Sequence, residues 1–523
     1  MKMVKSLLLA SVAGFAASAG AQAADLPVKA KPVEYVKVCS LYGAGFFYLP
    51  GTETCLKIGG YAFLEVDAGP GGGTNTQRMN GNTALHTRSG DYYFARGRLD
   101  VNFDARTQTE YGVLRSFFEI NTYQQTSNGD YNAVLTTNTN NAIPFFAFVQ
   151  FAGFTLGKAV PINRPDLGGS PLWTSAWVGG FGDMGAAQTG TLQAAYTAEF
   201  GNGAKLTVGV QDPSQSRGPM YDTLDNTTSP FFAVTSPSSG ISWQTSRFGG
   251  THLPDGVANF QINQAWGGFS IAGIVRQMNA SYYQTVNGGT VTELNGAPAD
   301  KIGWGVTGAL EIKNIPTGTG DRVQFYGSYS QGIQQLVSST GPFNTLISIA
   351  GSTTLPGAYQ SLAYSPILDS VWTGGTVASA TTRTDQHLTT FFGGAAGYEH
   401  YWIPARLRTS VFGGVMAVRY DDFSKAALCT AFARNTAGVA AGGGQALAGS
   451  NCNFDLNIWT VGTRTVWTVV PGFDLIAEPI YTFYDTKLTG TVTPTASDQK
   501  PQAVYELKRQ GQFSGMLRAI RTF

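Results

Sequence analysis

Charged side chains able to do chemistry gather in one stretch, Tyr92 to Asn121, which carries Arg96, Arg98, Asp100, Asp104, Arg115 and Glu119. Guanidinium and carboxylate groups at every second position suit holding and steering ions, since both stay charged near neutral pH. Other chemistries find less support. Gly180, Gly182 and Gly185 have the spacing of a dinucleotide fingerprint, but they open no predicted helix and sit in no βαβ unit. Gly157-Lys158 has Ala152 where a phosphate loop needs its first glycine, and Ala159 where it needs Ser or Thr. No G-x-S-x-G occurs, so a nucleophile elbow has no sequence support. His86, His252, His387 and His400 are scattered and read as loop or surface residues. Cys39, Cys55, Cys429 and Cys452 show no C-x2-C spacing, so they are expected to form disulfides and not a metal site. Three connectivities are open, and proximity favours Cys39–Cys55 with Cys429–Cys452. The chain is therefore expected to be no enzyme, and to use no cofactor or metal.

The elements that position those charges are strands. In Tyr92 to Asn121, Tyr93, Ala95, Gly97, Leu99, Val101 and Phe103 alternate with Phe94, Arg96, Arg98, Asp100, Asn102 and Asp104. After a polar break the alternation resumes, with Gly112, Leu114, Ser116, Phe118 and Ile120 opposite Arg115, Glu119 and Asn121. Period 2 puts successive side chains on opposite faces of a strand. Strands of a dozen residues exceed the usual soluble length of about 5–6. A greasy face backed by a charged one suits a wall between lipid and water. Leu56 to Asp67 repeats the pattern and sets Lys57 and Glu65 on the charged face.

Residues 1–23 read as a cleaved signal peptide: Lys2 and Lys5, an apolar run from Leu7 to Ala17, then Ala21-Gln22-Ala23. Losing the two lysines turns the formal charge from +1 to −1, and neither value favours nucleic acid. Only 13% of the 523 residues are charged while 12% are aromatic, and Gly numbers 66. No later stretch is an uncharged apolar run long enough for a membrane helix. An exported chain of this kind is either an outer-membrane barrel or a secreted β-sandwich or solenoid.

Turn rhythm decides between them. Hairpins are expected at Ala152-Gly153, Gly201-Asn202-Gly203, Gly267-Gly268, Pro316 to Gly320, Ile403-Pro404-Ala405 and Pro471-Gly472. These short turns alternate with long polar loops, notably 212–256, 336–386 and 421–455. Short turns at one end and long loops at the other are the mark of an outer-membrane barrel. The expected fold is an all-β, transmembrane antiparallel barrel of about 16 strands over residues 56–523, with a leader over 24–55 packed on or in it. A barrel of that size encloses water. Phe523 ends an alternating final strand and is expected to act as the assembly signal read by the barrel-assembly machinery.

The leader VEYVKVCSLYGAGFFYLPGTETCLKIGGY, the hairpin ARGRLDVNFDARTQTEYG and the closing RTF resemble the alphaproteobacterial general porin family. That resemblance implies a homotrimer in outer-membrane lipid, passing small hydrophilic solutes by passive diffusion. It also implies that the third long loop, about 159–188, folds inward and narrows the channel, bringing the carboxylates Asp166 and Asp183. Opposite them Arg96, Arg98 and Arg115, with Lys57, would make a basic wall, giving a field that filters by charge and size. Two rivals are a sugar-selective channel, with Trp173, Trp177 and Phe181 as stacking rings, and an adhesin or structural barrel using the long loops.

Overall fold

The computed structural model describes residues 37–69, 93–125, 142–164, 172, 190–214, 216–224, 247–284, 291, 293–337, 349–375, 382–437, 446–493 and 503–523. The expected signal peptide, Asp166, Asp183, Trp173, Trp177, Phe181, His86 and the glycine fingerprint at 180–185 lie outside the described residues.

Sixteen strands form one closed antiparallel sheet: β1 (Cys55–Ala68), β2 (Tyr93–Thr109), β3 (Gly112–Gln125), β4 (Ile143–Phe151), β5 (Phe154–Ala159), β6 (Thr191–Gly201), β7 (Ala204–Gln211), β8 (Asp255–Gln264), β9 (Gly267–Met278), β10 (Lys301–Lys313), β11 (Arg322–Gln331), β12 (Thr390–Ile403), β13 (Leu407–Arg419), β14 (Leu456–Val470), β15 (Phe473–Thr486) and β16 (Gln510–Thr522). Each pairs with its sequence neighbours, and β1 closes on β16 through pairs such as Tyr61↔Thr522 and Glu65↔Arg518. The seam continues at the terminus, where Gly60 and Phe523 exchange backbone hydrogen bonds of 3.1 and 3.0 Å. A Cβ on Gly60 would stand 2.1 Å from the Asp100 carbonyl oxygen, so the seam admits only glycine there. Tight turns carry the φ > 0 residues, Ala152, Asn202 and Ala405 among them.

Why these strands face as they do follows from the alternation. On β1, Leu64 and Val66 are exposed while Glu65 and Asp67 are buried inside. Two aromatic rims bound the outer apolar belt. Tyr111, Phe200, Trp266, Trp402 and Trp467 stand exposed near the short turns, and Tyr93, Trp304, Phe392, Trp459 and Phe513 near the long loops. The Lys313 amide bonds the Trp266 carbonyl, so nine strand steps separate the two rims along β10. At about 3.3 Å per step and a tilt of about 40°, that is a belt roughly 23 Å tall, close to the ~25 Å of outer-membrane barrels.

The long loops are richer than their polar composition implies. They hold a helix, α1 (Asp422–Ala437), a five-stranded sheet built from segments such as 349–351, 360–363 and 505–507, and a three-stranded sheet of 220–222, 370–372 and 387–388. Tyr364, Leu368, Phe432 and Phe454 form their core. That core continues onto the inner faces of β12 to β15 at Phe391, Met416, Ile458 and Tyr484. Asp421 starts α1 by accepting from the Ser424 amide at 2.8 Å, as an N-cap does. The disulfides join Cys39 to Cys55 and Cys429 to Cys452, the second tying α1 to the approach of β14.

Candidate functional site

Register builds the inner wall. β1, β2 and β3 are paired so that Phe63, Arg98 and Tyr123 lie in one row, with Glu65 and Arg96 in the row toward the long loops. Toward the short turns come Tyr61, Asp100 and Asn121, then Lys57, Asp104 and Phe117, then Arg106, Arg115 and Gln150. A bulge between Glu119 and Ile120 shifts β4 by one residue, and Phe145 thereby turns to the same buried face as Phe146 and Phe148.

The arginines meet different partners. Arg115 donates to Asp104 at 2.9 and 3.0 Å and to Gln150 at 2.9 Å. Arg106 grips the same carboxylate at 3.0 and 2.7 Å, so Asp104 takes four charge-assisted bonds from two forks. Arg518 is bonded to Glu65, whose charge also acts on Arg96. Arg98 is unlike the rest. Its guanidinium lies 5.4 Å from the Phe63 ring, 5.6 Å from Tyr123 and 5.7 Å from Phe145. Its Nε is buried without a hydrogen-bond partner, and it forms no ion pair among the described residues. Lys57 lies lower, its Nζ 6.0 Å from the Phe46 ring of the leader. The structure therefore brings Arg96 and Arg98 together and sets Arg115 and Lys57 nearer the short turns.

Across the barrel the wall changes character. Glu399 accepts from Arg322 at 2.6 Å and Ser410 at 2.9 Å, and Glu311 accepts from Gln324 at 3.1 Å. Above them Leu172, from the segment between β5 and β6, packs on Tyr326, Ala395, Phe412 and Ile480. Its amide donates to Gln324 at 3.4 Å. Earlier in the segment, the Ile162 carbonyl accepts from Asn259 at 2.7 Å and the Asn163 carbonyl from Thr307 at 3.0 Å. These contacts run along the inner faces of β8, β10 to β13 and β15.

At the long-loop end a buried polar cluster was not anticipated from the sequence. Arg276 and Asp255 form an ion pair of 2.6 Å, 1% and 0% exposed, and Arg276 also donates to Ser216. Beside it Asp369 accepts from the amides of Gly218 at 2.7 Å and Gln334 at 2.9 Å. Burial pushes the Asp369 carboxyl up to about 7, against the pull of Arg276. Asp222 gathers the Leu224, Gln284 and Gly374 amides and the Trp372 indole. Each aspartate thus pins separate loops together. Asp222, Asp255 and Asp369 stand in stretches that also carry Arg217, Arg247 and Arg383, and no local pattern singles them out. Among the histidines, His400 bonds Asp321 and Tyr398, and His387 bonds Asp421.

The model of the porin subfamily matches residues 25–516. Porin Omp2b of Brucella suis is 30% identical over 282 residues, which are 52% of this chain and 65% of that protein. Porin Omp2b of Brucella abortus (strain 2308) is 29% identical over 283 residues, with the same coverage. These matches thus span about two thirds of the length of the curated relatives. Among solved structures, the outer membrane channel DcaP of Acinetobacter baumannii superposes on 91% of this chain and 99% of its own. Its TM-score is 0.52 at 14% identity, a likeness of fold alone.

Proposed function

This chain belongs to the porin subfamily, a barrel of the outer membrane, and on that premise we propose that it forms a water-filled channel for passive diffusion of small hydrophilic solutes and ions. The observation that carries the reading is the inner wall of β16 and β1 to β3. It is lined by charged and polar side chains in a closed barrel of 16 strands, a size that leaves an aqueous lumen. Family membership favours a channel over an enzyme.

The segment 159–188 is proposed to fold inward and set the narrowest passage. Leu172 on the far wall and the bonds of Ile162 and Asn163 support this. With the segment against β8 to β15, water would pass beside Arg96 and Arg98, so these two are the proposed constriction residues on the wall. Arg115 and Lys57 would act lower, at the short-turn end, and Asp166 and Asp183 would supply the facing negative charge. The leader 24–55 is proposed to pack at that lower end, supported by Phe46 lying 5.0 Å from Arg106. The resemblance supports a homotrimer, and Phe523 is proposed as the assembly signal, its backbone already paired at the seam.

Reconstitution into planar bilayers tests the channel. Expected are stable openings in multiples of three, with Arg96→Ala and Arg98→Ala shifting the reversal potential in a salt gradient toward cation selectivity. A folded barrel that never conducts refutes the proposal and favours the adhesin.

A further inference from the structure

We propose that Arg98 and its rings form a transit station for organic anions that carry a planar apolar group, such as aromatic carboxylates. The inference deepens the channel reading and rests on it. Its ground is a contrast within one wall. Arg106 and Arg115 share the Asp104 carboxylate as an ion-pair partner, and Glu65 is bonded to Arg518 and lies beside Arg96. Arg98 has aromatic residues instead of carboxylates as its cross-strand neighbours, Phe63 on β1 and Tyr123 on β3. Asp100, the next inward residue, is bonded by Asn121 at 3.2 Å; like Glu65 it lies within the field of Arg98, but neither forms an ion pair with it.

Ring faces hold a guanidinium through their quadrupole without cancelling its charge. The rings therefore fix the plane of Arg98 and leave its N–H edge a cationic fork, the geometry that takes a carboxylate by two parallel bonds. Tyr61, the inward residue before Phe63 on β1, lies within the field of the Arg98 charge. The apolar surface continues from the station. Phe145 adjoins it, and lower on the same wall Phe117 stacks on Phe148 with centroids 5.3 Å apart. Tyr61 and Phe63 are themselves parallel, at 5.8 Å. A small anion such as acetate gains only the charge contact. A benzoate gains ring contact as well, which aromatic pairs make worth about tenfold in affinity.

The test uses the full chain in planar bilayers with benzoate, acetate and benzyl alcohol as probes. In the unaltered protein, benzoate is expected to interrupt the open-channel current at about one tenth of the acetate concentration. Benzyl alcohol should not interrupt it. Within Arg98→Gln, and within the double variant Phe63→Leu/Tyr123→Leu, the benzoate-to-acetate ratio should approach one. Equal effects of benzoate and acetate in the unaltered protein overturn the station. So does interruption by benzyl alcohol, or a ratio that survives Arg98→Gln. Saturation transfer from the folded protein in detergent to benzoate, lost in Arg98→Gln, reads the station without conductance. Transfer with no channel sinks the channel reading alone; absence of transfer sinks the station.

Discussion

Replacing Asp369 by asparagine removes one buried carboxyl that ties the loop after β7 to the loop after β11. In the folded protein its two oxygens accept the Gly218 and Gln334 amides, and no part of the side chain reaches water. The charged groups facing it are Arg276, which lowers its pKa, and Asp255, which raises it; the positive charge of Arg217 lies close by. Burial outweighs both, and the carboxyl rises from 3.8 to about 7. When the loops open, it regains water and an ordinary value. Below pH 4 both states hold the proton and the loops keep their full stability. As pH climbs from about 4 to about 7, the open state loses its proton while the closed state retains it, so stability falls. A shift of about three units amounts to about 4 kcal/mol. Most of the loss lies below pH 7, and the curve is flat above it. Hydrogen exchange at the Gly218 and Gln334 amides measures opening at the contact itself. After correction for intrinsic rates, protection should fall by roughly two powers of ten between pH 5 and pH 8. Asp369→Asn should flatten the profile. Protection that is constant or rises with pH in the unaltered protein would refute the reasoning, as would an unchanged profile in the variant.

Two other outcomes follow from named contacts. The disulfides close segments with separations of 16 and 23 residues, each worth about 3 kcal/mol in the chain-entropy model. The barrel bonds close on themselves, so mild thiol should raise proteolysis around α1 while the barrel keeps its heat-modifiable migration in gels; joint loss of loops and barrel would show that the bridges hold the core. Leu172→Asp would set an unpaired charge against Tyr326, Ala395, Phe412 and Ile480, a site 5% exposed. The cost is several kcal/mol, so the segment should leave the wall and single-channel conductance should rise; unaltered conductance would place the segment elsewhere.

The wall was legible because period 2 persists for a dozen residues and each short turn is marked by glycine, proline or asparagine. The difference between Arg98 and Arg115 was not. Both are inward arginines on one hairpin, and only the cross-strand register gives one Phe63 and Tyr123 and the other Arg106 and Gln150, with Asp104 within reach on the diagonal. The loop core escaped for another reason. Asp222 with Trp372, and Gly218 with Asp369, meet across about 150 residues, which no local pattern encodes. Helix α1 did carry a local signal, with Asp421 as cap and Leu428 and Phe432 four apart on its buried side. A search for alternation passes over that spacing.

Inward apolar residues of a water-filled barrel are themselves evidence for where its loops must lie. Phe391, Met416, Ile458 and Tyr484 all point inward at the long-loop end, and each left wet would forfeit about 1.5–3 kcal/mol of burial. They are buried because the loop core lies on them, as Leu172 lies on Phe412 and Ile480 below. The opposite wall has no such requirement. Glu65, Asp67, Arg96 and Arg98 would each cost far more than a methylene to cover with apolar chain. The same sixteen strands thus differ from side to side: apolar positions on β12 to β15 carry the loop core, and the charged positions gather on β1 to β3.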